Sequence, residues 1–140
     1  MATLGSTRKL HVLLVEDNPG DARYMQEVFQ RSGLDVSSMT ATSGEAALEL
    51  LQRWSTSSED NLPDIVFLDL HLPGMSGVDF LGEIRSRPKT SSLPVVVLTG
   101  SLPELEELNA QGLRVEAYLR KPIGPEHVRA LLDRLDIALA

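Results

Sequence analysis

The sequence predicts an α/β domain built on a doubly wound parallel sheet, and three observations carry that prediction. Strand-like apolar runs alternate with helical stripes five times along the chain, the rhythm of parallel βα units. The runs ending at Val15 and Leu68 are unbroken over four apolar residues, as strands covered by helices on both faces must be. Polar residues then gather where the strands end: Glu16 and Asp17 after the first, Asp69 at the third, Thr99 at the fourth and Lys121 after the fifth. Open sheets of this kind bind their ligands at the carboxyl ends of the strands.

Each element has its own warrant. His11–Val15 is the first strand, and Asp17 or Asn18 caps a helix with Pro19 in its first turn. Ala22, Met25, Val28 and Phe29 line one face of that helix, and Gly33 suits its carboxyl end. Leu34–Thr42 is the poorest strand, with few apolar members, so an edge position is expected. Ser43 caps a second helix running through Ala47, Leu48 and Leu51 to Trp54, and the polar stretch 55–61 is a long loop. Ile65–Asp69 is the third strand. Val78, Phe80, Leu81 and Ile84 make the third helical stripe, and a polar connection follows over 85–92. Pro94–Thr99 is the fourth strand, rich in β-branched residues. A short acidic helix carries Leu105 and Leu108 inward, Val115–Leu119 is the fifth strand, and a last helix bears Val128, Leu131, Leu132 and Leu135.

Composition narrows the function. A chain of 140 residues is long enough for one domain with its own core, and 42% hydrophobic with 24% charged residues fits a globular one. Residues 1–8 are expected to be a loose tail, and 9–140 one domain without an output domain. With no cysteine there is no disulfide framework, thiolate metal site or thiol nucleophile. A net charge of −7 argues against nucleic acid, whose binding rests on Lys and Arg neutralising phosphates. No apolar run approaches the ~20 residues that span a bilayer. The first nine residues lack the apolar core of a signal peptide, so a cytoplasmic protein without membrane contact is expected.

The strand-end residues suggest specific chemistry. In strand order 2-1-3-4-5 the first and third strands are neighbours, and Glu16, Asp17 and Asp69 crowd one pocket. Carboxylates that close must protonate, separate or share a cation, and oxygen-only ligands favour Mg²⁺ over zinc. Lys121 and Thr99 suit the same pocket to a phosphoryl group, with Asp69 as the nucleophile that forms an acyl phosphate.

Four segments in order, Glu16-Asp17, Asp69 to Gly77, Thr99-Gly100 and Lys121-Pro122, give the chain its family resemblance. From about Lys9 to Leu135 it resembles a bacterial response-regulator receiver domain, a flavodoxin-like fold with helices on both faces of five parallel strands. The resemblance implies Asp69 as phosphoacceptor. It implies Asp17, Asp69 and the His71 backbone carbonyl as Mg²⁺ ligands, with Glu16 acting through water. It also implies Thr99 as switch hydroxyl, Tyr118 as switch aromatic, Lys121 as the phosphate contact, and a cis bond before Pro122. His71 and Ser101 stand where water could be guided to the acyl phosphate, so they are candidates for setting its lifetime. The segments Val15–Asp21 and Leu93–Thr99 further resemble stand-alone regulators paired with phytochrome-type histidine kinases, which often form homodimers. A histidine kinase is therefore the expected partner. Glu104, Glu106 and Glu107 on the fourth helix and Arg129 and Arg134 on the fifth offer charges for a dimer through those helices and the fifth strand.

Other readings compete. A phosphorelay intermediate would pass its phosphate onward, and a degenerate receiver would bind partners without phosphoryl chemistry. A phosphohydrolase of the haloacid-dehalogenase type also uses a strand-end aspartate but needs a second acid two residues on, where His71 stands.

Overall fold

A computed structural model describes residues 9–56, 61–99 and 102–135, with the backbone alone for Thr99, Leu102 and Glu104. The expected tail at 1–8, and Gly100 and Ser101, lie outside the described residues. Five strands form one parallel sheet: β1 (Leu10–Val15), β2 (Val36–Ala41), β3 (Ile65–Asp69), β4 (Val95–Thr99) and β5 (Ala117–Arg120). Their order is β2-β1-β3-β4-β5, as expected, with β2 and β5 at the edges. The helices are α1 (Pro19–Arg31), α2 (Gly44–Ser55), α3 (Gly77–Arg85), α4 (Leu102–Ala110) and α5 (Pro125–Leu135). No helix among the described residues is long and apolar enough to cross a membrane.

The central strands split their side chains between two cores by simple alternation. Leu13, Val15, Val66, Leu68, Val95 and Val97 pack with the buried faces of α2, α3 and α4. Leu14, Ile65, Phe67, Val96 and Leu98 turn the other way, onto Met25, Val28 and Phe29 of α1 and Val128, Leu131 and Leu132 of α5. Phe29 meets Phe67 edge to face with ring centroids 5.0 Å apart. Both faces of β1, β3 and β4 are thus covered, which accounts for their unbroken apolar runs.

The caps follow the sequence closely. Asn18, not Asp17, caps α1, its side chain accepting from the Asp21 N–H. Ser43 caps α2 and Ser76 caps α3 in the same way. Gly33, just past α1, takes φ +83°, a conformation that favours glycine.

Three expectations shift. β2 and β4 begin later than read, and β5 spans Ala117–Arg120 rather than Val115–Leu119. Before β5, the Glu116 carboxylate accepts from the Val95 N–H and pairs with Arg114, so a side chain stands in where the strand was expected to start. Met39, one of the few apolar residues of β2, is half exposed, in keeping with an edge strand. Arg129, assigned to the dimer face, turns toward α1 instead: Nη1 donates to the Ser32 carbonyl at 3.5 Å, and Nε lies 3.9 Å from Asp133.

Two glycines of α3 give a paired test of this packing. A Cβ at Gly77 would lie 2.6 Å from the Leu70 Cα and 2.9 Å from the Asp69 carbonyl oxygen, whereas one at Gly82 would meet nothing within 4 Å. Gly77→Ala is expected to destabilise the protein by about 2–4 kcal/mol. Gly82→Ala should stabilise it by about 0.5–1 kcal/mol, because α3 loses an unfavourable glycine. Urea unfolding of both variants checks the pair, and equal effects would contradict the close approach at Gly77.

Candidate functional site

The site is assembled by strand register. Val15 pairs with Leu68, so Glu16, one residue on, comes level with Asp69 across the β1–β3 seam. Thr99 pairs with Arg120, so Lys121 emerges one residue past the end of β5 and reaches back over β4. The loops then open the strand ends enough for both Glu16 and Asp17 to face one place. One carboxylate oxygen each from Glu16, Asp17 and Asp69 lie within 4.8 Å of one another. Glu16 is 1% and Asp69 4% exposed, so two of the three acids are withdrawn from water.

Each buried carboxylate is held by the backbone just beyond it. The His71 N–H donates to Asp69 Oδ1 at 2.9 Å, and the Asn18 N–H donates to Glu16 Oε2 at 3.2 Å. The second oxygens both approach Lys121. Asp69 Oδ2 accepts from Lys121 Nζ at 3.2 Å, while Glu16 Oε1 is buried with no hydrogen-bond partner, 3.7 Å from the same ammonium. Burial pushes the Glu16 carboxyl up to about 7; the Asn18 N–H opposes this, and the nearby Asp69 adds to it. Burial works against the Lys121 ammonium too, but Asp69, Glu16 and Asp21 outweigh it and raise its pKa above the usual lysine value. One cation therefore serves three carboxylates and is too little for them.

The donor set fits a small hard cation. It is all oxygen, it carries excess negative charge, and Glu16 Oε1 is a buried acceptor that nothing among the described residues satisfies.

Comparison with known proteins gives the family. The response regulator receiver domain model matches residues 12–133. The chain belongs to that family. Response regulator Rcp1 of Synechocystis sp. is 37% identical over 110 residues, 79% of this chain and 75% of that protein. The Mn(2+)-bound structure of Rcp1 superposes with TM-score 0.72 at 30% identity, covering 94% of this chain and 96% of that one. The bacteriophytochrome response regulator RtBRR superposes with TM-score 0.82 at 32% identity, covering 94% and 80% of the two chains. The phosphorylated cyanobacterial phytochrome response regulator RcpA gives TM-score 0.72 at 30% identity, covering 94% and 95%. A receiver domain is a signalling module that binds a divalent cation in an acidic pocket, and the cluster of Glu16, Asp17 and Asp69 has the make-up of such a pocket.

The remaining sequence candidates divide. Lys121 stands against Asp69 and Glu16, and the bond to Pro122 is cis. His71 is exposed and contributes its backbone N–H to Asp69. Tyr118 is 57% exposed on the half-covered edge strand β5. Thr99 ends β4, its side chain outside the description, and Ser101 lies outside the described residues. Asp21 was missed: its Oδ2 sits 4.0 Å from Lys121 Nζ. The signal for it was present, since a cap at Asn18 places Asp21 in the first turn of α1, above the strand ends. Glu45 was missed as well. Its Oε2 accepts from the Met75 N–H at 3.3 Å, and the loop turns there on Gly74 at φ +68°.

A stability prediction follows from Glu16. Its folded pKa of about 7 exceeds the ordinary 4.5, so its contribution to stability is fully present below about pH 4.5 and is lost as pH rises through 7. Without divalent cations, Glu16→Gln should therefore stabilise the receiver at pH 8 by about 2–3 kcal/mol and much less at pH 4.5. Urea unfolding in chelator at both pH values checks this; a destabilised variant at pH 8 contradicts it.

Proposed function

We propose that this receiver is a phosphorylation switch in which Asp69 takes a phosphoryl group from a phosphohistidine of a partner histidine kinase. The reading rests above all on the Lys121 ammonium standing 3.2 Å from Oδ2 of the buried Asp69, with Glu16 and Asp17 gathered beside it. The His71 N–H holds Oδ1, leaving Oδ2 as the attacking atom. The Oδ2–P bond forms as the P–N bond breaks, and a donor ring protonated on its other nitrogen leaves as neutral imidazole. Lys121 then transfers its charge from the carboxylate to a phosphoryl oxygen.

Asp17, Asp69 and the His71 backbone carbonyl would hold Mg²⁺, with Glu16 acting through water. When bound, the ion supplies charge that lets a phosphoryl group approach three carboxylates. In this reading Thr99 is the hydroxyl that follows the new phosphate and Tyr118 the exposed aromatic that repacks, altering the surface of α4, β5 and α5. His71 and Ser101 are assigned to the lifetime of the acyl phosphate.

Residues 9–140 act as one receiver that signals by protein contact. A phytochrome-type kinase is the partner we favour, because RtBRR and RcpA are phytochrome response regulators by name. Onward transfer in a phosphorelay is the second reading, since a phosphoryl group on Asp69 could pass to another histidine by the reverse step. The intact acids and lysine speak against a degenerate receiver, and His71 in place of a second acid speaks against a dehalogenase-type hydrolase.

Incubation with acetyl phosphate and Mg²⁺ should add one phosphoryl group by intact mass, and Asp69→Asn should add none. An unmodified wild-type protein would refute the switch. The homodimer is assigned to α4, β5 and α5, with Glu106, Glu107 and Arg134 as its charged contacts. Sedimentation should show a dimer that Arg134→Glu weakens about 5–10-fold, given roughly 1 kcal/mol for such a pair. A monomer at every concentration, with or without acetyl phosphate, would refute the dimer.

A further inference from the structure

Lys121 follows directly on the end of β5, and a long flexible side chain carries its ammonium to Asp69. Where the ammonium lies therefore depends on the corner Arg120–Gly124. On the α5 side that corner is tied by the Gly124 N–H, which donates to His127 Nδ1 at 2.9 Å. On the α1 side a cleft of about 420 Å³ opens beside the acid cluster, with Asp21, Tyr24 and Met25 on one wall and Lys121, Pro122 and Ile123 on the other. A corner facing an open cleft needs a tie across it.

Tyr24 supplies the tie. Its hydroxyl donates to the Ile123 carbonyl, 99 residues away in sequence. The side chain is 46% exposed, so burial of the ring does not explain its position, and the same hydroxyl could have bonded to water at no loss of contact. Asp21, one turn earlier on α1, reaches the same corner independently through its ion pair with Lys121. Helix α1 thus holds the corner at two points, one on the lysine and one just past Pro122.

We propose that Tyr24 is a positioning residue for phosphoryl transfer: by tying Ile123 to α1, its hydroxyl sets where the Lys121 ammonium meets the phosphoryl group. This rests on Asp69 being the phosphoacceptor. A displacement of about 1 Å at a reacting centre can cost up to ~10²-fold in rate. Loss of one of the two ties is expected to cost less.

The test uses acetyl phosphate with Mg²⁺, a donor too small to touch the outer face of α1, so that kinase docking does not enter. Tyr24→Phe should slow uptake of the phosphoryl group about 3–10-fold. In a Lys121→Ala background the same change should have no further effect, because two changes acting through one group do not add. The ¹³Cε resonance of Lys121, assigned by its absence in Lys121→Ala, should move in Tyr24→Phe, which decides the matter if Lys121→Ala reacts too slowly to follow. A wild-type rate in Tyr24→Phe, an equal slowing with and without Lys121, or an unmoved Lys121 resonance would each overturn the assignment. If the wild-type protein itself takes up no phosphoryl group, the switch reading fails and this inference falls with it. If the wild type reacts and Tyr24→Phe matches it, only the inference fails.

Discussion

Three carboxylates share one ammonium at the carboxyl edge of the sheet, and the rest of the structure is arranged to tolerate that imbalance. Glu16 and Asp69 are almost wholly buried, where an uncompensated charge is costly. Each gives one oxygen to a backbone N–H of the loop that follows it, which fixes its direction without neutralising it. Lys121 supplies the only cation seen against these acids among the described residues, and it is drawn toward Asp69, Glu16 and Asp21 together. In the function proposed above, the charge left over is what would draw a divalent ion and then a phosphoryl group into the pocket.

The opposite end of the sheet is built on the reverse principle. The Arg85 guanidinium, at the end of α3, is largely buried and donates to the carbonyls of Thr90, Ser91, Leu93 and Arg114. Burial, and then the nearby Arg114, lower its pKa, while Glu116 at 3.6 Å opposes them. Glu116 in turn accepts from the Val95 N–H and pairs with Arg114, which also donates to Ser91. One cation here gathers four carbonyls and a carboxylate from two segments, 90–93 and 114–116, so the starts of β4 and β5 are pinned while the strand ends are left charged and open.

Much of this was legible in the sequence, for physical reasons that can be named. Strands covered on both faces must be continuously apolar, which exposed β1 and β3 at once, and β2 betrayed its edge position by lacking that run. Acids at strand ends have no reason to be there unless something binds them, which pointed to Glu16, Asp17 and Asp69. The start of β5 was misread because the Glu116 side chain occupies a ladder position, and no periodicity encodes that. The Arg85 network was read as a merely polar connection because its partners are backbone carbonyls, which every residue has. Tyr24 was passed over for the same reason. Arg129 was placed on the wrong side of α5 because the stripe Val128, Leu131, Leu132 fixes which face is inward but not which neighbour the flanking residues meet.

The account stands or falls on whether the crowded acids act as one cation site. The direct measurement is the thermal midpoint of the wild-type protein as Mg²⁺ is raised from micromolar to millimolar in chelator-treated buffer. A ligand that binds only the folded state must raise the midpoint, so a rise in the wild type that Asp17→Asn abolishes is the predicted result. A midpoint indifferent to Mg²⁺, or one that rises equally in Asp17→Asn, would contradict it.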